Sequence, residues 1–286
     1  MPMLLIKGFY QIEGSQPDGD TVHFTADDPA EWGLVGGGGG RAVGHSATGR
    51  AKLRLDAVDA LETHYGPGRV HQPLRFAHAA RDELLSRLGF TDVQRRPDET
   101  VTATTPATVP GFVLTRGSDV HGRCVALAGA GTAPGTSGLE IDVDVATLRT
   151  TVNHQLIAQG FAYPTFYRSL FTGLRTEMAA AAVEARAAGR GLWESDVTTD
   201  GAKITGLDSL TEDVVILPKL FRRLVDHLRL GLPLACFPAF LAGVGDRYSV
   251  LSTGERRAGL QHVVETANGH TVRMTHPPED LLFEDA

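Results

Sequence analysis

The sequence predicts an α+β protein in two parts. Three observations carry that reading: short apolar runs bounded by turn residues up to Ala128, segments of helical periodicity beginning at Gln72, and a change of composition after Asp196.

Leu4 to Ile12 and Val22 to Phe24 read as short strands on either side of an Asp18-Gly19-Asp20 turn. Asp27 to Gly49 is a polar, glycine-rich insertion. Its run Gly36 to Gly40 is followed by neither Gly-Lys-Ser/Thr nor a helical pattern, so a flexible loop is expected rather than a phosphate loop. Lys52 to Val58 reads as a strand. From Gln72 to Leu88, Leu74, Ala77, Ala80, Leu84, Leu85 and Leu88 recur at helical steps, and Gly89 is placed to end the helix. Arg95 to Thr108, rich in Thr and Pro, reads as a loop. Phe112 to Leu114 and Cys124 to Ala128 read as strands around a Gly117-Ser118-Asp119 turn. Val145 to Gly160 and Thr172 to Gly189 read as helices, and Trp193 follows the second.

Thr198 to Gly206 reads as a linker. Beyond it come an amphipathic helix, Thr211 to Leu230, an apolar segment, Leu234 to Ala242, and strand-like runs at 248–251, 260–265 and 271–274. The expected division is therefore 1–197, linker 198–206, and a small α+β domain at 207–286.

The chain has 286 residues and a formal net charge of −7. That charge argues against a general nucleic-acid coat protein but admits a nuclease, because local arginines and a bound cation can supply the field. Only four lysines occur (Lys7, Lys52, Lys203, Lys219), so the basic groups are mostly Arg. Cys124 and Cys236 form no CxxC pair and are expected to be buried free thiols. The N-terminus lacks a signal-peptide pattern, and no apolar run approaches ~18 residues. A cytoplasmic location without a membrane partner is expected.

The chemistry concentrates at Asp20, Asp59 and Glu62, with Arg54 five residues before Asp59. A hard dication takes carboxylate, carbonyl and water oxygens, while guanidinium groups bind phosphate oxygens bidentately. Each feature has a plain alternative: Asp-Gly-Asp as a hairpin turn, each arginine as a solvated surface charge. His64, His71 and His78 recur every seven residues but straddle Pro67 and Pro73, so they are expected as surface or capping groups. In Phe221 to Arg229, Leu220, Leu224, Val225 and Leu228 fit a half-buried helix, leaving Arg222, Arg223 and Arg229 as phosphate contacts.

The ordered set is more specific than its members. Asp20-Thr21, then Arg54, Asp59, Glu62 and Thr63, then Gly122-Arg123, continues into Gln159-Gly160-Phe161-Ala162 and Gly191-Leu192-Trp193. This set resembles the staphylococcal nuclease (thermonuclease) family over roughly residues 4–196. The resemblance implies a five-stranded OB-fold-like barrel with three helices, and Ca²⁺-dependent hydrolysis of DNA and RNA, with Mg²⁺ or another divalent cation as the variant. By resemblance, Asp20, Asp59 and the Ala60 carbonyl hold the metal, and Glu62 activates water. Arg54 and Arg123 bind the scissile phosphate, and Thr21 and Thr63 support the site. His121 stands where the family prototype has a tyrosine, and Phe166 or Tyr167 supplies a base-stacking ring. Leu61 replaces the family's usual proline, which implies a less rigid turn at Glu62.

The rival expectation is a non-catalytic barrel of the same family that binds nucleic acid or protein. Degenerate members usually lose the carboxylates or arginines, and here all five positions are filled. A nuclease kept in the cytoplasm endangers its own cell, so the C-terminal part is expected to restrain, target or oligomerise the enzyme, in phage defence or DNA repair. That expectation includes a homo-oligomer or a protein partner.

Overall fold

The computed structural model describes residues 1–36 and 41–284. Most of the glycine run, Gly37 to Gly40, lies outside them.

Five strands close into a barrel. Strand β1 (Pro2–Tyr10) pairs antiparallel with both β2 (Thr21–Ala26) and β7 (Val109–Ser118). β2 pairs with β3 (Arg50–Leu55), and β7 pairs with β8 (Cys124–Ala130). The parallel β3–β8 pairing completes the circle. Closure removes sheet edges and packs one side-chain face of every strand inward.

Two glycines make room inside. A Cβ on Gly111 would strike the Tyr10 ring, and one on Gly129 would strike Phe112. Tyr10 is fully buried, packs edge-on to Phe24, and donates its hydroxyl to the Phe112 and Gly129 carbonyls at 2.9 and 3.1 Å.

The expected single strand 52–58 is broken. β3 stops at Leu55, Asp56 and Ala57 turn with Ala57 at φ 64°, and β4 (Val58–Asp59) starts a new pairing with β10 (Tyr163–Pro164). Buried Asn153 secures the turn, donating to the Asp56 and Ala126 carbonyls and accepting from Ala128 N–H.

Helix α1 (Leu74–Leu88) ends at Gly89, which takes the left-handed conformation at φ 104°. The segment expected as a loop after it is a hairpin of β5 (Thr91–Arg95) and β6 (Val101–Thr105). Its β-branched threonines suit a pleated strand, and Pro97 and Pro106 fall outside the paired residues. β9 (Glu140–Asp142) extends the sheet beside β1. The expected helix 145–160 is two, α2 (Val145–Thr150) and α3 (Val152–Ala158), because Thr151 is extended and caps the second. β11 (Phe166–Tyr167) and α4 (Thr172–Ala187) follow, and Trp193 then packs edge-on to Tyr163.

In the C-terminal segment β12 (Ala202–Lys203) leads to one turn of π-helix at Ser209–Asp213. The expected long helix is only α5 (Pro218–Arg229), since Pro218 suits a first helical position and disfavours helix before it. α6 (Phe237–Val244) and β13 (Arg247–Val250) come next, then β14 (Arg256–Ala258). The run expected as a strand at 260–265 is a 3-10 turn at Leu260–His262 before β15 (Val264–Ala267). β16 (Thr271–Met274) and β17 (Leu281–Phe283) finish the chain.

The C-terminal strands form two small sheets, β12–β16–β15 and β11–β17–β13–β14. The second takes in β11, with Phe166 beside Leu282 in parallel register. Cys124 is buried as expected, whereas Cys236 is exposed, because it sits in a short turn before α6. Among the described residues no single helix is long and apolar enough to cross a membrane.

Two measurements probe this core. Tyr10→Phe leaves two buried carbonyls short of a donor and is expected to cost about 1–3 kcal/mol by chemical denaturation; an unchanged midpoint would remove Tyr10 as a barrel pin. His23 lies opposite Lys52 on β3. Burial, then Arg50 and Lys52, push its imidazole down to about 4. A depressed histidine stabilises the fold fully above its unfolded value of about 6.5, and that stability is lost as pH falls toward 4. His23→Gln should therefore flatten the decline of melting temperature between pH 6.5 and 4, and an identical decline would refute the assignment.

Candidate active site

The three carboxylates expected from the sequence lie on three short pieces of backbone. Asp20 enters β2, with its carbonyl accepting from Leu55 N–H at 2.8 Å and its carboxylate accepting from Thr21 Oγ1 at 2.9 Å and Ala60 N–H at 3.2 Å. Asp59 ends β4, where pairing with Tyr163 fixes its backbone. Glu62 follows on an irregular segment.

That segment is held by Gln72, a fully buried residue just before α1. Gln72 Oε1 accepts from Glu62 N–H at 3.2 Å, and Gln72 N–H donates to the Glu62 carbonyl at 2.9 Å. Its Nε2 donates to the Ile216 carbonyl at 2.8 Å. The Leu61 side chain is buried in the core. The rigidity that a proline at Leu61 would supply thus comes instead from a side-chain clamp.

Two guanidinium groups bind the carboxylates together. Arg54, near the end of β3, pairs with Asp20 and reaches Asp59 Oδ1 at 2.8 Å. The second is Arg222 of α5, which touches Asp59 Oδ2 at 3.1 Å and Glu62 Oε1 at 2.6 Å. Asp59 is fully buried between the two arginines.

The charge states follow from these contacts. Burial pushes the Asp20 carboxyl up to about 6, against the pull of Arg54. Burial also pushes Asp59 up, but Arg222 and Arg54 outweigh it and hold the carboxyl below its ordinary range. Burial raises Glu62, with Arg222 pulling the other way. Arg222, despite its burial, is held above its usual value by Asp59 and Glu62.

Arg123 stands apart from this cluster. Its Nε donates to Asp119 Oδ2 at 2.7 Å, and Asp119 Oδ1 accepts from the N–H groups of His121 and Arg123 at 2.9 Å. The parallel register sets Arg54 beside Val125, so Arg123, two residues before Val125, shares the face of Arg54. His121 is exposed in the same turn. Thr63 is buried, its hydroxyl 2.9 Å from His64 Nδ1.

Phe166 does not serve as a base platform: it is fully buried in the strand that pairs with β17. Tyr167 is half-buried, with its ring against Phe283 and near Lys219. His71 Nδ1 faces the Gln72 carbonyl and His78 meets Glu99, so the spaced histidines make local contacts. A groove of about 570 Å³ between Arg75, Phe76, Phe161 and Glu194 includes none of the cluster.

The donor set of Asp20, Asp59 and Glu62 is all-oxygen and largely buried, which fits a hard divalent cation in chemistry. Their present arrangement is that of ion pairs. Among the described residues no three acidic, histidine or cysteine side chains are gathered as metal ligands. Sequence reasoning gave Arg222 only as a phosphate contact and missed Gln72. The one signal for Arg222 was its place between the apolar positions Leu220 and Leu224; a lone glutamine before a proline gives none.

A small closed barrel with carboxylates and guanidinium groups gathered where β2, β3 and β4 meet defines a nuclease-type or nucleic-acid-binding module. The staphylococcal nuclease homologue family model matches residues 52–195, about half of the chain, and the chain belongs to that family. The matched stretch includes Arg54, Asp59, Glu62 and Arg123 but neither Asp20 nor α5. No curated protein matches the chain.

Gln72→Ala should loosen Glu62 while leaving Asp20, Asp59 and Arg54 in place. The expected result is a folded protein about 1–3 kcal/mol less stable, with faster hydrogen exchange at the Glu62 amide and unchanged exchange at the Ala60 amide that Asp20 holds. Equally faster exchange at both amides would show that Gln72 acts on the whole cluster rather than on Glu62.

Proposed function

We propose that this chain is a metal-dependent nuclease that hydrolyses phosphodiester bonds of DNA, RNA or both. The observation that carries the reading is the convergence of Asp20, Asp59 and Glu62 on two arginines, Arg54 between Asp20 and Asp59 and Arg222 between Asp59 and Glu62, at the edge of the barrel. Asp20 and Asp59, with the Ala60 carbonyl, are the groups that would hold Ca²⁺, or Mg²⁺ in its place. When bound, such a cation polarises a phosphoryl oxygen and acidifies water.

The chain's own groups do the rest. Glu62 accepts a proton from the attacking water as its oxygen bonds to phosphorus. The bond from phosphorus to the leaving nucleotide oxygen breaks, and that oxygen takes a proton from solvent. Arg54 and Arg123 hold the non-bridging oxygens and offset the growing negative charge. For Arg54 this requires giving up Asp20 or Asp59, and for Arg123 exchanging Asp119, for phosphate. Thr21 steadies Asp20, while Thr63 and His121 lie on the substrate side. Tyr167 is the remaining candidate for base stacking, with its present packing against Phe283 to be given up.

The family match ending at residue 195 supports a division into a nuclease part, 1–197, and an accessory part, 207–286. The accessory part serves targeting, regulation or association with a second copy or another protein. Restraint of this kind suits a cytoplasmic nuclease in phage defence or DNA repair. The second reading is a barrel that binds nucleic acid without cutting it, favoured by the complete neutralisation of Asp59 by arginines.

Cleavage of plasmid DNA and of RNA with Ca²⁺, with Mg²⁺ and with EDTA decides between them. Cutting with a divalent cation that EDTA abolishes is expected, and Glu62→Gln should lower kcat about 10²–10⁴-fold. Binding of nucleic acid with no cutting under any cation would favour the second reading.

A further inference from the structure

We infer that Arg222, supplied by the C-terminal segment, is a third phosphate-binding guanidinium of this site. It rests on Asp59 and Glu62 in the absence of substrate and moves to the phosphodiester when cation and nucleic acid bind. The inference rests on the nuclease reading and extends it to a residue outside the family match.

The three arginines of α5 have different surroundings. Arg223 forms a two-pronged pair with Asp246 at 2.6 and 2.8 Å, and Arg229 donates to the Pro67 carbonyl. Arg222 alone reaches the acidic cluster, where its fork spans Asp59 and Glu62. A fork that fits two carboxylates also fits two phosphate oxygens.

The packing of α5 separates a working residue from a detachable plug. Leu220, Phe221, Leu224 and Val225 are fully buried. Tyr65 donates to Asp226 at 2.9 Å, Gln72 donates to Ile216, and Thr198 Oγ1 accepts from Leu217 N–H at 2.9 Å. A plug has to leave, and this helix cannot leave without opening the core. The Arg222 side chain can instead swing with the helix backbone in place, and it is 20% exposed at the edge of the cluster. Charge supports the same exchange. A divalent cation held by Asp20 and Asp59 would weaken the pull of Asp59 on the guanidinium, and an incoming phosphate would replace it.

The test uses the full chain with Arg222→Met and Arg222→Lys, checked for folding by thermal melting. Readouts are oligonucleotide cleavage, calcium binding by calorimetry, and anisotropy of a labelled single-stranded oligonucleotide on the Glu62→Gln background. Arg222→Met is expected to lose about 10²-fold or more in kcat/KM and to bind the oligonucleotide more weakly in Ca²⁺. Its calcium affinity should be unchanged or tighter, and Arg222→Lys should recover part of the oligonucleotide binding. Should Arg222→Met not fold, Arg222→Lys carries the test, with the same split between weakened oligonucleotide binding and retained calcium binding. Cleavage as fast as or faster than the parent with tighter calcium would overturn the inference and make Arg222 a tethered competitor of the cation. Cleavage lost together with calcium affinity would also overturn it. If the parent chain never cuts, the nuclease reading fails by itself, and equal oligonucleotide binding with and without Arg222 then overturns this inference separately.

Discussion

The buried Asp59 carboxylate sets the terms for everything around it. An ionised carboxylate removed from water costs several kcal/mol unless charged donors surround it. Asp59 has two, one from each half of the chain: Arg54 from the barrel and Arg222 from α5. Its backbone is fixed by the β4–β10 pairing and by the Asp56–Ala57 turn that Asn153 holds from α3. The charge can remain there because the fold delivers both guanidinium groups to within hydrogen-bonding distance.

This makes the C-terminal segment part of the wall of the site. Gln72 holds Glu62 on one side and the Ile216 carbonyl on the other, two residues before α5 begins. Removing residues 200–286 would strip a charge partner from Asp59, a partner from Gln72 and the cover from Tyr65 in one step. Point changes on α5 are therefore the cleaner way to separate regulation from architecture.

Much of the barrel and the candidate site was legible in the sequence. Asp20, Arg54, Asp59 and Glu62 lie at or just beyond strand ends, and their order along the chain, through its resemblance to a known family, marked them as a candidate site that none marked alone. The turn at Ala57 was not legible, because alanine seldom takes a positive φ and nothing nearby signals it. The 91–105 hairpin was hidden by its prolines, and the length of α5 by the apolar residues before Pro218, which continue a helical pattern although the proline starts the helix. Arg222 and Gln72 were obscure for a different reason. The partners of Arg222 lie 160 and 163 residues away, and Gln72 reaches Ile216 across 144 although its bonds to Glu62 span only 10; local pattern carries no information about which distant group a side chain will meet. Phe166 shows the same limit: an aromatic near the end of a nuclease-like segment reads as a platform until a strand from the far end of the chain covers it.

The parallel pairing of Phe166 with Leu282 also imposes an order in time. A chain leaving the ribosome has all five barrel strands by Ala130, but α5 and β17 emerge much later. During synthesis the barrel is therefore present while the Asp59 carboxylate still lacks its second arginine. The complete constellation of charges first exists only once α5 has followed the barrel out.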